Sequence, residues 1–282
     1  MALKFEPRVL ATGLGFVEGP AWTPAGELRL VSLSHGCVYT LSAAGETLGK
    51  VVTGGGPNGL ALGGDAAFVA QNGGIFAASG KAPAGVQRIR GEEVALLFPG
   101  AFEAPNDLCF GPDGLLYVTD PSTDRALTEP TPGRLVACDL ESGRTRVVAV
   151  DRLFPNGVAF DPTGSHLYLA QTYSRLVERF TFRDGALSTD GVFCELANGR
   201  PDGMAVDLDG SLWVCTPGTG GLEVFSAAGR PIRRLEFGAG TMTTNCCFGG
   251  PDMRQLFVTA AGQGAVLVLD VETPGLPLRS GA

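Results

Sequence analysis

The sequence predicts an all-β protein, a six-bladed β-propeller built from four-stranded antiparallel blades. Two observations carry that prediction: a short polar motif that recurs six times, and an alternating apolar run that follows each copy after a turn. From Glu18 through Pro57, Pro105, Pro155 and Pro201 to Thr244 the intervals are 39, 48, 50, 46 and 43 residues. That is the period of one four-stranded blade, and six such units make a ring.

Taken in order, the units open alike and return alike. The first reads Glu18-Gly-Pro-Ala-Trp22 and returns through Leu28-Arg-Leu-Val31; the second reads Pro57-Asn-Gly-Leu60 and returns through Ala67-Phe-Val69. The third, Pro105-Asn-Asp-Leu108, turns at Pro112-Asp-Gly114 into Leu116-Tyr-Val-Thr119. The fourth, Pro155-Asn-Gly-Val158, turns at Pro162-Thr-Gly164 into Leu167-Tyr-Leu169, and the fifth, Pro201-Asp-Gly-Met204, turns at Leu208-Asp-Gly210 into Leu212-Trp-Val-Cys215. The sixth is Thr244-Asn-Cys-Cys247 with Leu256-Phe-Val-Thr259. Glycine between two such runs is a hairpin signal because it accepts the positive φ that a tight turn needs. The ring is expected to close where the N-terminal Lys4–Leu10 segment lies beside Gly264–Asp270 as an outer strand, which protects strand edges that would otherwise template aggregation.

Composition agrees. Equal-period repeats run along all 282 residues without an intervening linker, so residues 1–282 read as one domain. The 42 glycines and 19 prolines punctuate short strands and so indicate β structure rather than disorder. A formal net charge of −8 and the absence of basic clusters argue against a nucleic acid or an anionic membrane as partner. No obligate protein partner is evident. The N-terminus has no apolar core of signal-peptide length and no stretch approaches a membrane span, so a cytoplasmic location is expected. Seven cysteines without Cys-x-x-Cys spacing fit reduced, mostly buried thiols.

In a propeller the innermost strands start near the central channel, so equivalent positions of different blades converge. The motifs thereby assemble Glu18, Asn58, Asn106, Asn156, Asp202 and Asn245: two carboxylates, four amides and no histidine. Taken singly, each copy is explained by turn chemistry; as a set, with separate turns already present in the same repeats, the residues read as a channel ring. An oxygen-only set suits one hard divalent cation, Ca²⁺ first, with Mg²⁺, Mn²⁺ and Zn²⁺ as alternatives. With only His35 and His166 in the chain, a multi-histidine zinc site is excluded.

Phe16-Val-Glu-Gly-Pro-Ala-Trp22, Pro105–Gly114 with Tyr117-Val-Thr-Asp120, Phe154–Phe160, Pro201–Asp207 with Leu212-Trp-Val214, and Thr243–Asp252 together resemble the senescence-marker-protein-30/gluconolactonase/luciferin-regenerating-enzyme family across nearly the whole chain. The resemblance implies a catalytic divalent metal held by Glu18, Asn156 and Asp202, with Asn106 contacting metal or substrate, and hydrolysis of a small-molecule lactone. The chain departs from the sugar-lactonase pattern at Ala104, where the animal-type branch carries a substrate-binding arginine, and around Ser32, where an aspartate is usual. Both departures remove charge that would grip a polyol, which points toward a less hydroxylated lactone.

Opening a lactone needs an electrophile for the carbonyl oxygen and a base for water. Asp202 is the first candidate for the base. Asp120 is the second, since related lactonases carry an aspartate after a similar run, although capping of the loop before Pro121 explains it equally. Asn58, Asn245 and the Gln71-Asn72 pair are substrate contacts or structural amides, and Tyr173 with Arg175 follows a strand toward the mouth, where solvation is the alternative. The Ser122–Pro132 connection is either a lid or an inter-blade loop. Two further readings stand: an organophosphorus or ester hydrolase on the same metal, and a propeller that binds a metal or small molecule without turnover.

Overall fold

The computed structural model describes residues 5–75, 79–122, 124–238, 240–279 and 281; Lys4 of the anticipated closing segment lies outside them. Six four-stranded antiparallel sheets stand in a ring. Five consist of four consecutive strands, beginning with Val17–Trp22, Glu27–Ser32, Cys37–Ser42 and Thr47–Val52. In the sixth, Arg8–Ala11 adds as the outermost strand beside Ala265–Asp270, with Arg8 opposite Val268 and Val9 opposite Leu267. The two ends of the chain thus close the ring as the sequence predicts.

Burial falls from the axis outward. The inner strand Thr243–Gly249 is buried at every residue, whereas the outer strand Pro231–Glu236 is buried only at Leu235. Between these limits, both faces of a strand pack against neighbouring blades, which is why apolar residues run without a polar gap. Leu212 and Val214 enter the cluster shared with the fourth blade, while their neighbours Trp213 and Cys215 enter the cluster shared with the sixth. Six such clusters, one per blade interface, complete the circle. Ring pairs span the same seams: Trp22 stacks on Phe257 at 5.0 Å, and Trp213 meets Phe248 edge-on at 5.7 Å.

The turn glycines Gly114, Gly164 and Gly210 all adopt positive φ, between 74° and 78°, as hairpin geometry requires. All seven cysteines are free thiols, Cys109 half-buried and the others buried. No helix among the described residues is long and apolar enough to cross a membrane. Beyond Asp270 the chain returns to the ring: Leu276 N donates to Val206 O at 2.9 Å, and Arg279 donates to the carbonyls of Asp161 and Pro162. Residues Leu276–Arg279 thereby line, with inner-strand residues of all six blades, the space at one end of the channel.

Candidate active site

The polar motifs are bulges in the inner strands. The ladder to the second strand slips between Glu18 and Ala21, Pro57 and Leu60, Pro155 and Val158, and Thr243 and Cys246; in the two remaining blades it starts only at Leu108 and Met204, just past the motif. A bulge releases the local backbone from pairing and re-aims its side chains. Here it turns Glu18, Asn58, Asn106, Asn156, Asp202 and Thr244, one residue per blade, onto the floor of an open cavity of about 730 Å³.

Local bonds fix these groups. Asn106 N donates to Thr119 O at 2.8 Å and Asp202 N to Cys215 O at 3.0 Å, which ties both motifs to their second strands. Asn58 Nδ2 donates to the Asn106 carbonyl at 3.1 Å, linking adjacent blades. Asn156 Nδ2 donates to Thr172 Oγ1 at 3.1 Å, and that hydroxyl donates to Pro201 O at 2.9 Å. The Asn156 amide also hydrogen-bonds the Asp202 carboxylate. With its N–H groups engaged, Asn156 keeps its carbonyl oxygen for a ligand.

Electrostatics single out the same floor. Burial pushes Glu18 well above the usual carboxylate range, and the nearby charges of Asp202 and Asp107 push it further. Burial likewise raises Asp202 to about 8, the Asn156 hydrogen bond opposing and the Asp107 charge adding to the rise. Asp107 is raised to about 6, again mainly by burial. No cationic side chain is among the influences on any of the three. Among the described residues no three His, Cys, Asp or Glu side chains gather as a metal-ligand group. The donors instead combine two carboxylates with amide oxygens, a set whose uncompensated negative charge fits a hard divalent cation. Both histidines are occupied elsewhere, His35 with the Tyr39 hydroxyl at 2.9 Å and His166 with Asp161 at 3.3 Å.

Several residues singled out in the sequence fall away from that floor. Register makes Cys246, paired with Val258, the equivalent of Leu60, paired with Val69. Thr244 therefore occupies the ring position expected for Asn245, and Asn245 sits one residue deeper, lining the opposite end of the channel with Asp107. Its Nδ2 lies 3.5 Å from Asp107 Oδ2, and its side chain also hydrogen-bonds Glu18. Asp107 itself was missed; the signal was an aspartate in the third motif where the second, fourth and fifth carry glycine.

Asp120 is fully buried outside the cavity. Its carboxylate accepts from Ala104 N at 2.8 Å and from Arg134 at 2.8 and 3.0 Å, so both oxygens are committed and none faces the floor. Tyr173 stands behind the cavity wall, its ring 6.0 Å from Phe154 and capped by the Arg200 guanidinium at 4.8 Å. Arg175 donates to the Ala197 carbonyl at 3.1 Å. Asn72 does line the cavity, but its Oδ1 accepts from Gly74 N and Ile75 N, holding the loop that carries Ile75. From the Ser122–Pro132 connection, apart from Thr123, which lies outside the described residues, a short 3₁₀ turn over Asp124–Leu127 brings Leu127 to the cavity.

A six-bladed propeller with carboxylates and amides around one open channel mouth defines a class of channel-site β-propellers. Within it, residues 16–262 match the SMP-30/gluconolactonase/LRE-like region, and the chain belongs to that family. A gluconolactonase of Zymomonas mobilis is 26% identical over 302 aligned positions, covering 92% of this chain and 83% of that protein. A pentonolactonase of Haloferax volcanii is 30% identical over 193 positions; the match spans 61% of this chain and 64% of that protein. Among solved structures, a gluconolactonase of Xanthomonas campestris superposes with a TM-score of 0.79 at 26% identity, over 94% of this chain and 89% of its own. A calcium-binding regucalcin of Agrobacterium tumefaciens, at 21% identity and a TM-score of 0.83 over 99% of this chain and 98% of its own, shares the fold.

Proposed function

We propose that the protein is a metal-dependent hydrolase that opens the ring of a small lactone, a sugar-acid lactone or a less polar one. The observation that carries this reading is the pair of carboxylates, Glu18 buried and Asp202 half-buried, both with raised affinity for protons, set among amides at the base of an open cavity. Lactonase-named relatives at 26–30% identity support the reaction class.

Glu18, Asn156 and Asp202, with Asn106 beside them, would hold one divalent cation, Ca²⁺ by the all-oxygen character of the donors. When bound, the ion supplies Lewis-acid polarisation of the lactone carbonyl and charge for the developing oxyanion. The chain's own residues supply the proton transfers. Asp202 takes a proton from the water whose oxygen adds to the carbonyl carbon, and returns it to the ring oxygen as the acyl C–O bond breaks. The Asn156 N–H bonded to Asp202 would orient the carboxylate, and Asn58 and Asn106, which line the same cavity, would contact the substrate around the carbonyl. Asp120 takes no part, because Arg134 and two backbone N–H groups occupy it.

The test is proton release in weak buffer against sugar, alkyl and aromatic lactones, with chelated protein and protein reloaded with Ca²⁺, Mg²⁺, Mn²⁺ or Zn²⁺. Turnover is expected to return with metal and to fall by roughly 10³-fold in Glu18→Gln and Asp202→Asn, the scale on which loss of oxyanion stabilisation is felt. Silence of the metal-loaded protein on every lactone sinks the reading and moves ester or organophosphorus hydrolysis, or binding alone, ahead.

A further inference from the structure

Above its polar floor the cavity has an apolar wall. Phe16, Ile75, Leu127, Phe154 and Met242 line it, with Ala104 where the sugar-lactonase pattern places an arginine. Among the described lining residues the only charged side chains are Glu18 and Asp202, both on the floor. A polyol lactone has several hydroxyls to satisfy on closure; away from the floor only Asn72 and Thr172 offer polar groups, and each hydroxyl set against the apolar side chains would be buried at a cost.

The wall is also built rather than incidental. Phe154 and Met242 hold φ of 56° and 53°. Bulky L-residues adopt that region at an energetic cost, and such outliers persist where surrounding structure over-determines them, often at binding sites. Here the backbone is tied on the far side: Thr172 N donates to Phe154 O at 3.1 Å, and Ala261 N to Met242 O at 3.0 Å. The Phe154 ring is braced edge-on by Tyr173, itself under Arg200. Ile75 arrives on the loop that Asn72 pins. Three separate loops, those of Ile75, Phe154 and Met242, are thus ordered so as to present apolar side chains over one floor.

We infer that the substrate is a lactone bearing an alkyl substituent of several carbons, with the ring carbonyl on the polar floor and the chain along Phe16, Ile75, Leu127, Phe154 and Met242. This rests on the lactone-hydrolase reading for the chemistry, but the selectivity of the wall is separable from it. Each methylene buried there is worth roughly fourfold in affinity, the factor that corresponds to its transfer from water.

The experiment uses metal-loaded protein and δ-lactones carrying no chain, butyl, hexyl or octyl, with glucono-δ-lactone for comparison. In parallel, calorimetry follows binding of the matching δ-lactams, which keep the carbonyl and resist hydrolysis. In the wild type kcat/KM and lactam affinity are expected to climb roughly fourfold per methylene until the chain outgrows the wall. In Phe154→Gly and Ile75→Ala the gain per methylene is expected to drop below about twofold, since the surface that the chain would cover is gone. Glycine accepts the φ of position 154 freely, so Phe154→Gly retains the fold, and its thermal midpoint checks this. Lactam affinity that climbs with chain length while no lactone turns over upholds the wall and removes the hydrolase reading. A flat lactam series, or preference for glucono-δ-lactone over every alkyl lactone, overturns the inference.

Discussion

The channel carries two polar layers one residue apart, and they differ in what surrounds them. In the outer layer Glu18, Asn58, Asn106, Asn156, Asp202 and Thr244 face an open cavity. In the layer beneath, the positions read Gly19, Gly59, Asp107, Gly157, Gly203 and Asn245, and the space there is lined also by Leu276–Arg279. Only two side chains fit there, because the glycines leave room for no more. A Cβ on Gly59 would stand 2.6 Å from Asp107 Oδ1, and one on Gly203 would stand 2.0 Å from Asn245 Cγ. None of Gly59, Gly157 and Gly203 has positive φ. In Asn58-Gly59, Asn156-Gly157 and Asp202-Gly203 the glycine thus marks close approach at the axis, not a turn. The proposed chemistry falls in the layer where six side chains face the open cavity, with the deeper layer packed beneath it.

The largest effect that sharpens this contrast concerns a carboxylate belonging to neither layer. Asp120 is fully buried where Asp202 is only half-buried, but it carries its own cation, and Arg134 keeps 30% of its side-chain surface exposed. Asp120→Asn leaves that cation without its partner and is expected to cost about 2–3 kcal/mol, below the full value for breaking a buried pair because Arg134 retains access to water. Urea unfolding reads the loss, and the shape of the pH–rate profile is expected to stay as in the wild type. A shifted basic or acidic limb would instead place Asp120 in the reaction.

Next comes Gly203→Ala, which drives a methyl into Asn245 at the deeper layer. Overpacking of this kind is expected to destabilise by about 1–3 kcal/mol. It should also loosen divalent-metal binding, because Gly203 N donates to Thr244 O at 2.8 Å and follows Asp202 directly. Gly210→Ala, at the turn with φ of 78° between the fifth blade's first two strands, provides the contrast: a cost of about 1–2 kcal/mol, mainly from backbone conformation, with metal affinity kept. Equal metal affinities in the two variants would remove the support role.

How far the sequence could be read follows from the same two layers. Blade number, strand order and ring closure were legible because each blade repeats one pattern of bulge, turn and doubly buried strand. Five of six outer-layer residues were legible for that reason too. The sixth failed because residue type was allowed to set register: Asn245 looks like Asn58, but the pairing of Cys246 with Val258 puts Thr244 in line. Asp107 escaped because the glycines at its equivalent positions, 59, 157 and 203, read as turn residues, so an aspartate in their place did not stand out. Asp120 ended a run that resembles a catalytic one, and its fate was decided by Arg134, which lies on the next strand opposite it. The strain at Phe154 and Met242 leaves no mark in composition or spacing.

The smallest effect tests how the layers communicate. Asp107, raised to about 6 when folded, binds its proton more tightly than in the unfolded chain, where the value is near 3.8. Its contribution to stability is therefore fully present below pH 4 and is lost as pH rises through about 6. Asp202, raised to about 8, extends the decline toward pH 8, and Glu18 acts in the same direction. Metal-free wild type should accordingly lose thermal stability steadily between pH 4 and pH 8. Asp107→Asn removes one of these titrations and one like charge from both Glu18 and Asp202, while its amide oxygen still accepts from Leu108 N, 2.9 Å away in the wild type. The metal-free variant is expected to match the wild type near pH 4 and to melt a few degrees higher at pH 8, since about 1 kcal/mol moves a midpoint by about 2–4 °C in a chain of this size. Saturating divalent cation should cancel or reverse the gap, because the carboxylates are then wanted in their charged form. A variant that melts lower than the wild type at pH 8 without metal would mean that Asp107 stabilises the deeper layer as an anion, and that the outer layer does not feel its charge.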